Sequence, residues 1–285
     1  MRTFYLGTHR PGWLGQLSVP LFISASTMSA WKSTGDDWPT RRDTFRFGGW
    51  ALDSGAFTAL APSTVHRDRH PWHLDPDSFG GMVTRFAEEV GIAPDFAAIQ
   101  DVPCEPELLA ANGMTVAGNQ ADTLDSYLYL AAEFDFINWS PVLQGWKPVD
   151  YVNHMRAYER AGVELWRHTP VGLGSVCRRG RTRDIVAVVQ TVQAYARATY
   201  GRELRLHGFG LKSEAVGVVG HLLDSADSQA WSRRARLENI HLDGCVHPGP
   251  CNNCRRYALA WRDQVLAAAG RDQQMALDLQ LAEVA

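Results

Sequence analysis

The 285-residue sequence lacks any long hydrophobic run, and no apolar stretch approaches the roughly 18 residues that a transmembrane helix needs. Its N-terminal segment, MRTFYLGTHRPGWLG, has neither a long apolar core nor a small-residue cleavage site, so it does not have the pattern of a signal peptide. These absences predict that the protein has no membrane partner and is cytoplasmic.

The sequence also lacks a large excess of charge of either sign, because 28 Lys and Arg oppose 31 Asp and Glu for a formal net charge of −3. This balance excludes a basic coat over the whole surface, but a local basic groove that contacts phosphates stays compatible with it. Cysteines number five, and an odd count in a cytoplasmic chain argues against a disulfide framework.

The length and the 45% hydrophobic content suit one large α/β domain or two small ones. Short apolar runs typical of strands alternate along the chain with longer segments of helical periodicity, which indicates a parallel sheet. The predicted strands are Thr3–Gly7, Pro20–Ser24, Gly49–Asp53, Asp95–Asp101, Phe136–Gln144, His168–Gly172, Glu203–Gly208 and His221–Asp224. The predicted helices are Pro76–Val90, Ala121–Phe134, Val149–Ala161, Asp184–Tyr200 and Ser213–Val219.

About eight such units predict an α/β fold of the (β/α)8 TIM-like barrel type. An open doubly wound sheet is the alternative, but no G-x-G-x-x-G opens a helix after a strand. The polar stretch Trp31–Gly48 is predicted to be a long loop. We expect residues 1–285 to form a single barrel domain with a zinc-binding subdomain at about 238–268.

Polar residues and glycines follow several predicted strands, where α/β barrels place their reactive groups. Each of these residues, taken alone, is typical of a helix cap, a turn or a solvated side chain. Together on one rim they suit a purine, since carboxylates and amides bond the base edge, glycines permit close approach and an aromatic covers a ring face. The candidates are Asp53, Ser54, Phe57, Asp101, Gln144, Gly172, Gly174, Gly208, Gly210, Asp224 and Asp227.

Three of the five cysteines fall within ten residues, in the segment from Cys245 to Cys254, which also contains His247. A Cys3His set predicts a structural zinc site, because four protein ligands leave no open position for catalysis. The predicted ligands are Cys245, His247, Cys251 and Cys254, with His241 as the second choice for the histidine. Cys104 and Cys177 stand alone and are predicted to be small buried apolar residues.

Between about Gly49 and Trp261 the motifs resemble, in order, those of the tRNA-guanine transglycosylases and their DNA-modifying relatives, the DpdA-type enzymes. Leu52-Asp53-Ser54-Gly55-Ala56-Phe57 is similar to D-S-G-G-[FY]-Q, and Val142-Leu143-Gln144-Gly145 to the V-Q-G segment. Val171-Gly172-Leu173-Gly174-Ser175-Val176 and Leu206-His207-Gly208-Phe209-Gly210 resemble G-G-L-A-V and L-M-G-V-G. The stretch from Asp224 to Arg236 resembles D-x-x-D-C-V-x-P-T-R-x-A-R, and Cys251-Asn-Asn-Cys254 with Tyr257 and Trp261 resembles the zinc segment.

The resemblance implies a pentosyltransferase that replaces guanine in nucleic acid, DNA being favoured, with a 7-deazaguanine base. It implies that Asp227 is the nucleophile that forms a covalent aspartyl–glycosyl intermediate and that Asp53 is the general base. Asp101 and Gln144 would read the base edge, and Phe57 and His207 would sandwich the base. No redox or nucleotide cofactor is expected, and a homodimer through the zinc region is one option that such relatives suggest.

Arginines follow the implied nucleophile, and Arg233, Arg234 and Arg236 are candidates to grip phosphates, as are Arg178, Arg179, Arg181 and Arg183. The presence of these arginines is explained equally well if they are solvent-exposed residues at the start of a helix. Three other functions stay open: tRNA base exchange, hydrolysis of free nucleosides or nucleotides, and nucleic-acid binding without catalysis.

The sequence departs from the family pattern at several positions. The first motif ends in Thr58 instead of Gln, and the first cysteine is displaced to Cys245. No histidine follows His247, so the family's downstream zinc ligand has to be replaced by an upstream one. Cys177-Arg178-Arg179 stands where Gly-Glu is usual, which predicts a different base preference.

Overall fold

A computed structural model describes residues 1–28, 48–61 and 70–284, with side chains described as far as residue 270. The polar loop predicted at Trp31–Gly48 lies outside the described residues, except for Gly48 itself. Within these ranges, no helix has the length and apolar character needed to cross a membrane.

Nine parallel strands form one sheet in the described part of the chain, in the order β5-β4-β3-β2-β1-β9-β8-β7-β6. The strands are β1 (Thr3–Thr8), β2 (Leu21–Ser24), β3 (Trp50–Asp53), β4 (Phe96–Ala98), β5 (Trp139–Ser140), β6 (Val142–Leu143), β7 (Val171–Leu173), β8 (Leu206–Gly208) and β9 (Ser225–Ser228). Only Pro141 separates the two edge strands β5 and β6, so the sheet curls into a nearly closed barrel. The predicted barrel is confirmed.

Pro141 divides one predicted strand into two because proline has no backbone N–H to donate to a ladder. Its carbonyl still accepts a hydrogen bond from the N–H of Gly172 at 2.9 Å, which ties the segment to β7. β5 then pairs with β4, and β6 pairs with β7. The single predicted strand Phe136–Gln144 therefore corresponds to two observed strands.

Helices cover the barrel, and four of the five predicted ones begin and end within two residues of the observed bounds. The described helices are α1 (Ala56–Leu60), α2 (Pro76–Val90), α3 (Pro106–Asn112), α4 (Val116–Glu133), α5 (Pro148–Arg160), α6 (Thr182–Tyr200), α7 (Ser213–Val219), α8 (Ala230–Leu237) and α9 (Arg255–Val284). In α2, Asp75 caps the N-terminus by accepting from the Ser78 N–H at 3.0 Å, and Gly91 ends the helix in the left-handed region.

Both faces of the strands are buried, as the continuous apolar runs predict. Phe4 and Leu6 of β1 pack into the large core between sheet and helices, whereas Tyr5 packs in a separate cluster with Phe22 and Phe96. Because successive side chains of a strand point to opposite faces, this smaller aromatic cluster fills the inside of the barrel.

The last strand was predicted at His221–Asp224 and this prediction is wrong, because the strand runs over Ser225–Ser228 and a 3-10 helix occupies Gly220–Leu222. Asp224 therefore precedes the strand instead of ending it. Its carboxylate forms ion pairs with Arg2 at 3.3 Å and Arg205 at 3.2 Å, at the amino end of the strands. Asp224 thus does not belong to the rim that carries the other candidates.

Candidate active site

A cavity of about 800 Å³ opens at the carboxyl ends of the strands. The predicted residues on its wall are Asp53, Ser54, Phe57, Asp101, Gln144, Gly174, Arg178, Gly210, Asp227, Arg233 and Arg236. The parallel strands bring these residues together, because the carboxyl ends of all of them meet at one face of the barrel. This volume lies within the range of pockets for small organic ligands.

Asp53 ends β3, and the chain turns immediately after it through Gly55, whose φ of 77° belongs to the left-handed region that favours glycine. The pKa of Asp53 is raised to about 7, mainly by burial and in addition by the nearby carboxylates of Asp227 and Asp101. Hydrogen bonds from Ser24 and the Gly55 backbone partly offset this rise. A carboxyl group with such a pKa can both hold and release a proton near neutral pH.

Asp227 lies in β9, and its carboxylate is held through one oxygen. Oδ1 accepts a hydrogen bond from the backbone N–H of Gly210 at 2.8 Å and lies 3.3 Å from Nε2 of His207. Nδ1 of His207 lies 2.8 Å from Ser225 Oγ, so the serine can donate to Nδ1 while Nε2–H donates to Asp227. Oδ2 makes no hydrogen bond within the described part of the chain, so this oxygen is available to a ligand.

Asp101, Ser54 and Gln144 form a buried polar network at the base of the cavity. Oδ1 of Asp101 accepts from Ser54 Oγ at 2.6 Å, and Oδ2 accepts from Nε2 of Gln144. Burial raises the pKa of Asp101, and the hydrogen bonds from these two donors offset only part of that rise. Together the network presents carboxylate acceptors and an amide donor, the groups that recognise the edge of a base.

Two residues that the sequence analysis did not select, Glu105 and Ser175, extend this network. Ser175 Oγ lies 2.8 Å from Gln144 Oε1 and 2.8 Å from Oε2 of Glu105, and it accepts from the Cys104 N–H at 2.8 Å. Both residues are buried and also contribute to the cavity wall. The carboxylate four positions after Asp101 in the same loop was the sequence signal that could have drawn attention to Glu105.

Phe57 lies on the cavity wall, where the guanidinium of Arg178 sits 4.7 Å from the centre of its ring. Phe209, another residue that the sequence analysis did not select, also lines the cavity. Cys177 lines it too, so this thiol is not the enclosed apolar residue that was predicted, although burial raises its pKa to about 12. Cys104 is fully buried, as predicted.

His207 was predicted to lie against the base, but it does not line the cavity. Its ring has no exposed surface and packs among aromatic rings inside the barrel, with centroids 4.8 Å from Phe209, 4.9 Å from Phe96 and 5.2 Å from Phe22. The side chain of a residue in the middle of a strand points to one face of the sheet, and that of His207 points into the barrel interior. His207 therefore lies beneath Asp227 and does not face the cavity.

Gly172 and Gly208 were predicted to contact the base, but neither lines the cavity. A Cβ atom at Gly172 would lie 2.5 Å from the Phe209 ring, and one at Gly208 would lie 3.0 Å from Leu211 and Leu223. These glycines make room for neighbouring core side chains. Gly174 does line the cavity, as predicted.

The candidate phosphate-binding arginines divide into two groups. Arg233 and Arg236 line the cavity, but Arg234 of the same helix pairs with Glu238 at 3.0 Å and does not. Buried Arg179 donates to the Trp146 carbonyl at 2.7 Å, while Arg181 and Arg183 pair with Asp184. Among these, only Arg178, Arg233 and Arg236 reach the cavity.

Cys245, His247, Cys251 and Cys254 form a cluster whose ligand atoms all lie within 4.8 Å of one another, so the cluster could hold a metal ion. The Sγ of Cys245 lies 3.7 Å from that of Cys254 and 3.8 Å from that of Cys251, and Nε2 of His247 lies 3.5 Å from the Cys251 Sγ. A tetrahedral ion with metal–sulfur bonds of about 2.3 Å requires sulfur–sulfur distances of about 3.8 Å. The donor set therefore fits a tetrahedral metal.

His241, the alternative fourth ligand, is occupied elsewhere. Its Nδ1 lies 2.6 Å from the Gly249 carbonyl oxygen and its Nε2 lies 3.1 Å from that of Cys245. His247, the preferred choice, is the histidine in the cluster. The cluster loop also reaches the barrel rim, because Nε2 of His9 lies 2.6 Å from Oδ1 of Asn253.

A family model described as DpdA, DeoxyPurine in DNA protein A, matches residues 1–283. Members of this family are DNA-guanine transglycosylases similar to the tRNA-guanine transglycosylases. No match to a curated protein was found. The match extends over both the barrel and the cluster segment, and it agrees with the resemblance that the strand-end motifs indicate.

Proposed function

Since the chain belongs to the DpdA family, we propose that it exchanges guanine in DNA for a 7-deazaguanine base through a covalent intermediate on Asp227. The observation that carries this proposal is the arrangement of Asp227, whose Oδ1 is fixed by Gly210 and His207 while Oδ2 has no partner within the described part of the chain. A carboxylate oriented in this way and facing a cavity can attack a sugar carbon.

The first step breaks the bond between the sugar and guanine. Oδ2 of Asp227 attacks C1′ of a nucleotide that has left the stack, and the electron pair of the C1′–N9 bond goes to the departing base. Asp53 in its protonated form protonates this base, which leaves neutral. Its pKa of about 7 supports this role, because an ordinary aspartate would be fully ionised near neutral pH.

The second step restores the nucleic acid with a different base. Asp53, now a carboxylate, takes the N9 proton of the incoming base as N9 attacks C1′ and the bond to Asp227 breaks. Asp227 leaves as a carboxylate and Asp53 is protonated again. Both residues are returned to their starting states, and neither step needs a redox cofactor.

Recognition of both bases is assigned to the polar network. Asp101 would accept from N1–H and the 2-amino group of guanine, and Gln144 would donate to its C6 oxygen. A 7-deazaguanine presents the same edge, so one pocket serves both bases. Phe57 would cover a ring face, and Arg233 and Arg236 would contact phosphates of the flanking strand.

We further propose that the cysteine and histidine cluster binds a structural zinc ion, because four protein ligands fill a tetrahedral shell. A bound zinc would fix the loop between α8 and α9. This loop lies next to the barrel rim, because its Asn253 contacts His9. Residues 238–268 would then form a zinc-binding subdomain of one barrel domain. The homodimer stays a prediction.

A test of this function uses radiolabelled guanine with duplex DNA, single-stranded DNA and bulk tRNA in separate reactions. We expect label in DNA, and a loss of about 10³-fold or more in the Asp227→Ala variant. Denaturing gels should show protein linked to DNA for the unchanged protein and none for this variant. Label in tRNA alone would establish the tRNA reaction instead, and release of base from free nucleosides would establish a hydrolase.

A further inference from the structure

Glu105 is a buried carboxyl group that the proposed reaction does not use. It is 1% exposed, and none of the described cations forms an ion pair with it. Burial is the largest cause of the raised pKa of this carboxyl group. It contacts Ser175 Oγ at 2.8 Å and lies on the wall of the cavity that also holds Gln144.

The hydrogen atoms around Ser175 determine the protonation of Glu105. A serine hydroxyl has one hydrogen to donate and two lone pairs that accept. The Cys104 N–H occupies one lone pair, so the remaining hydrogen and lone pair must serve Gln144 Oε1 and Glu105. An amide oxygen cannot donate. Glu105 is therefore the donor, and its carboxyl group carries a proton.

The amide orientation of Gln144 follows from the same chain of contacts. At its other end, Gln144 faces a carboxylate oxygen of Asp101, whose second oxygen accepts from Ser54. Nε2 of Gln144 is the group that donates to Asp101, which leaves Oε1 of the same amide facing Ser175. The proton on Glu105 thus begins one ordered series of hydrogen bonds, which runs from Glu105 to Ser175, to Gln144 and to Asp101.

Backbone geometry holds Ser175 in place within this chain. Its φ of 54° lies in the left-handed region, which is uncommon for a residue other than glycine. The strained backbone and the Cys104 N–H together aim the hydroxyl at Gln144 and Glu105. Such strain persists only where surrounding contacts fix it, which is typical of functional sites.

We propose that Glu105, acting through Ser175, is a positioning residue that fixes the Gln144 amide so that the pocket accepts 6-oxopurines and rejects 6-aminopurines. The inference deepens the proposed function and rests on it. With this orientation, the second hydrogen of Gln144 Nε2 can donate to a C6 oxygen, and Asp101 can accept from N1–H. Adenine presents the opposite pattern, with an amino group at C6 and an acceptor at N1.

The test measures equilibrium binding of free guanine and free adenine, without DNA, to the unchanged protein and to four variants. Glu105→Ala and Ser175→Ala each interrupt the series of hydrogen bonds from Glu105 through Ser175 to Gln144. Glu105→Gln instead keeps a hydrogen-bond donor of nearly the same shape. Glu107→Gln changes an exposed carboxylate two positions away, in the first turn of α3, which also lines the cavity, and serves as the matched control. Thermal unfolding of each variant verifies that it is folded.

We expect the adenine-to-guanine ratio of dissociation constants to fall at least about tenfold in Glu105→Ala and Ser175→Ala, since one unmatched buried hydrogen bond costs about that factor. Glu105→Gln and Glu107→Gln should keep the ratio. An unchanged ratio in both alanine variants overturns the inference and leaves the proposed function standing. If the ratio falls as far in Glu105→Gln as in Glu105→Ala, the argument that Glu105 donates a proton to Ser175 is overturned. Failure of the unchanged protein to prefer guanine overturns both proposals.

Discussion

Gly174 lies so close to Gln144 that a Cβ atom at position 174 would overlap the side-chain amide of Gln144. The carbonyl of Gly174 also accepts a hydrogen bond from the Tyr151 hydroxyl at 2.8 Å. The absence of a side chain at this strand end is therefore what allows the amide to reach Asp101. This relationship links the backbone directly after β7 to the polar network of the cavity.

Replacing Gly174 with alanine should displace the Gln144 amide and weaken guanine binding by about tenfold to a hundredfold, the worth of one or two buried hydrogen bonds. Calorimetric titration with guanine measures this loss. Gly180→Ala is the control, because a Cβ atom there meets open space and the residue is exposed. Equal binding by the two variants would show that Gly174 does not position Gln144.

Asp53 should make the protein less stable as pH rises. Its pKa is raised from 3.8 to about 7 in the folded protein, so the folded state binds the proton more tightly than the unfolded chain. Stability contributed by this proton is present below about pH 4 and is lost as pH rises toward 7. Asp53→Asn removes the titration and should therefore stabilise the protein most at pH 7 and above.

We expect a gain for Asp53→Asn of about 2 kcal/mol at pH 8, discounted from the full shift because the carboxyl group reaches the cavity. Urea unfolding at pH 5 and pH 8 measures it, with exposed Asp122→Asn as the control. The same variant should lose base exchange, since it has no carboxyl group to move the proton. A gain independent of pH would contradict the assigned pKa.

Apolar strands were predictable from the sequence, but the last strand was not. The polar run Ser225–Ser228 is buried over its whole length, while the apolar stretch before it forms a 3-10 helix. Ser225 and Asp227 are buried because His207 lies within hydrogen-bonding distance of both. Hydrophobicity alone cannot reveal such a partner, because the partner belongs to another strand.

Site residues that belong to a sequence motif were predictable. Site residues that come together only through contacts between distant segments were missed. Asp53, Asp101, Gln144 and Asp227 all reach the cavity at the ends of their strands. Ser175 and Glu105, by contrast, are 70 positions apart, and only the folded barrel brings their oxygens within 2.8 Å. The burial of His207 was missed for a similar reason, because a strand-end motif does not tell which side of the barrel a side chain faces.

Arg233 and Arg236 should contribute to DNA binding more than Arg234 does, although all three lie on α8. The first two line the cavity, and Arg234 is paired with Glu238. Each phosphate contact adds about 0.7 to 0.9 to the slope of log affinity against log salt concentration. We expect Arg233→Ala and Arg236→Ala each to lower this slope by about one, and Arg234→Ala to leave it unchanged. Equal slopes for all three variants would place the phosphates elsewhere.

The metal cluster gives a prediction that separates two histidines six positions apart. His247 contributes Nε2 to the cluster, whereas both ring nitrogens of His241 lie against backbone carbonyls. We expect one zinc per chain by metal analysis, retained in His241→Ala and lost in His247→Ala and Cys254→Ser. Cys104→Ser, which changes a cysteine outside the cluster, should keep the metal.

Loss of the metal should also loosen the packing of α9 against the barrel. This helix begins directly after Cys254, and its Trp261 packs against Phe4 of β1 with ring centroids 6.2 Å apart. We expect a chelator, or Cys254→Ser, to lower the unfolding temperature by about 5–10 °C, as for a loss of about 2–3 kcal/mol in a chain of this size. Retention of the full unfolding temperature by metal-free protein would exclude a structural role for the ion.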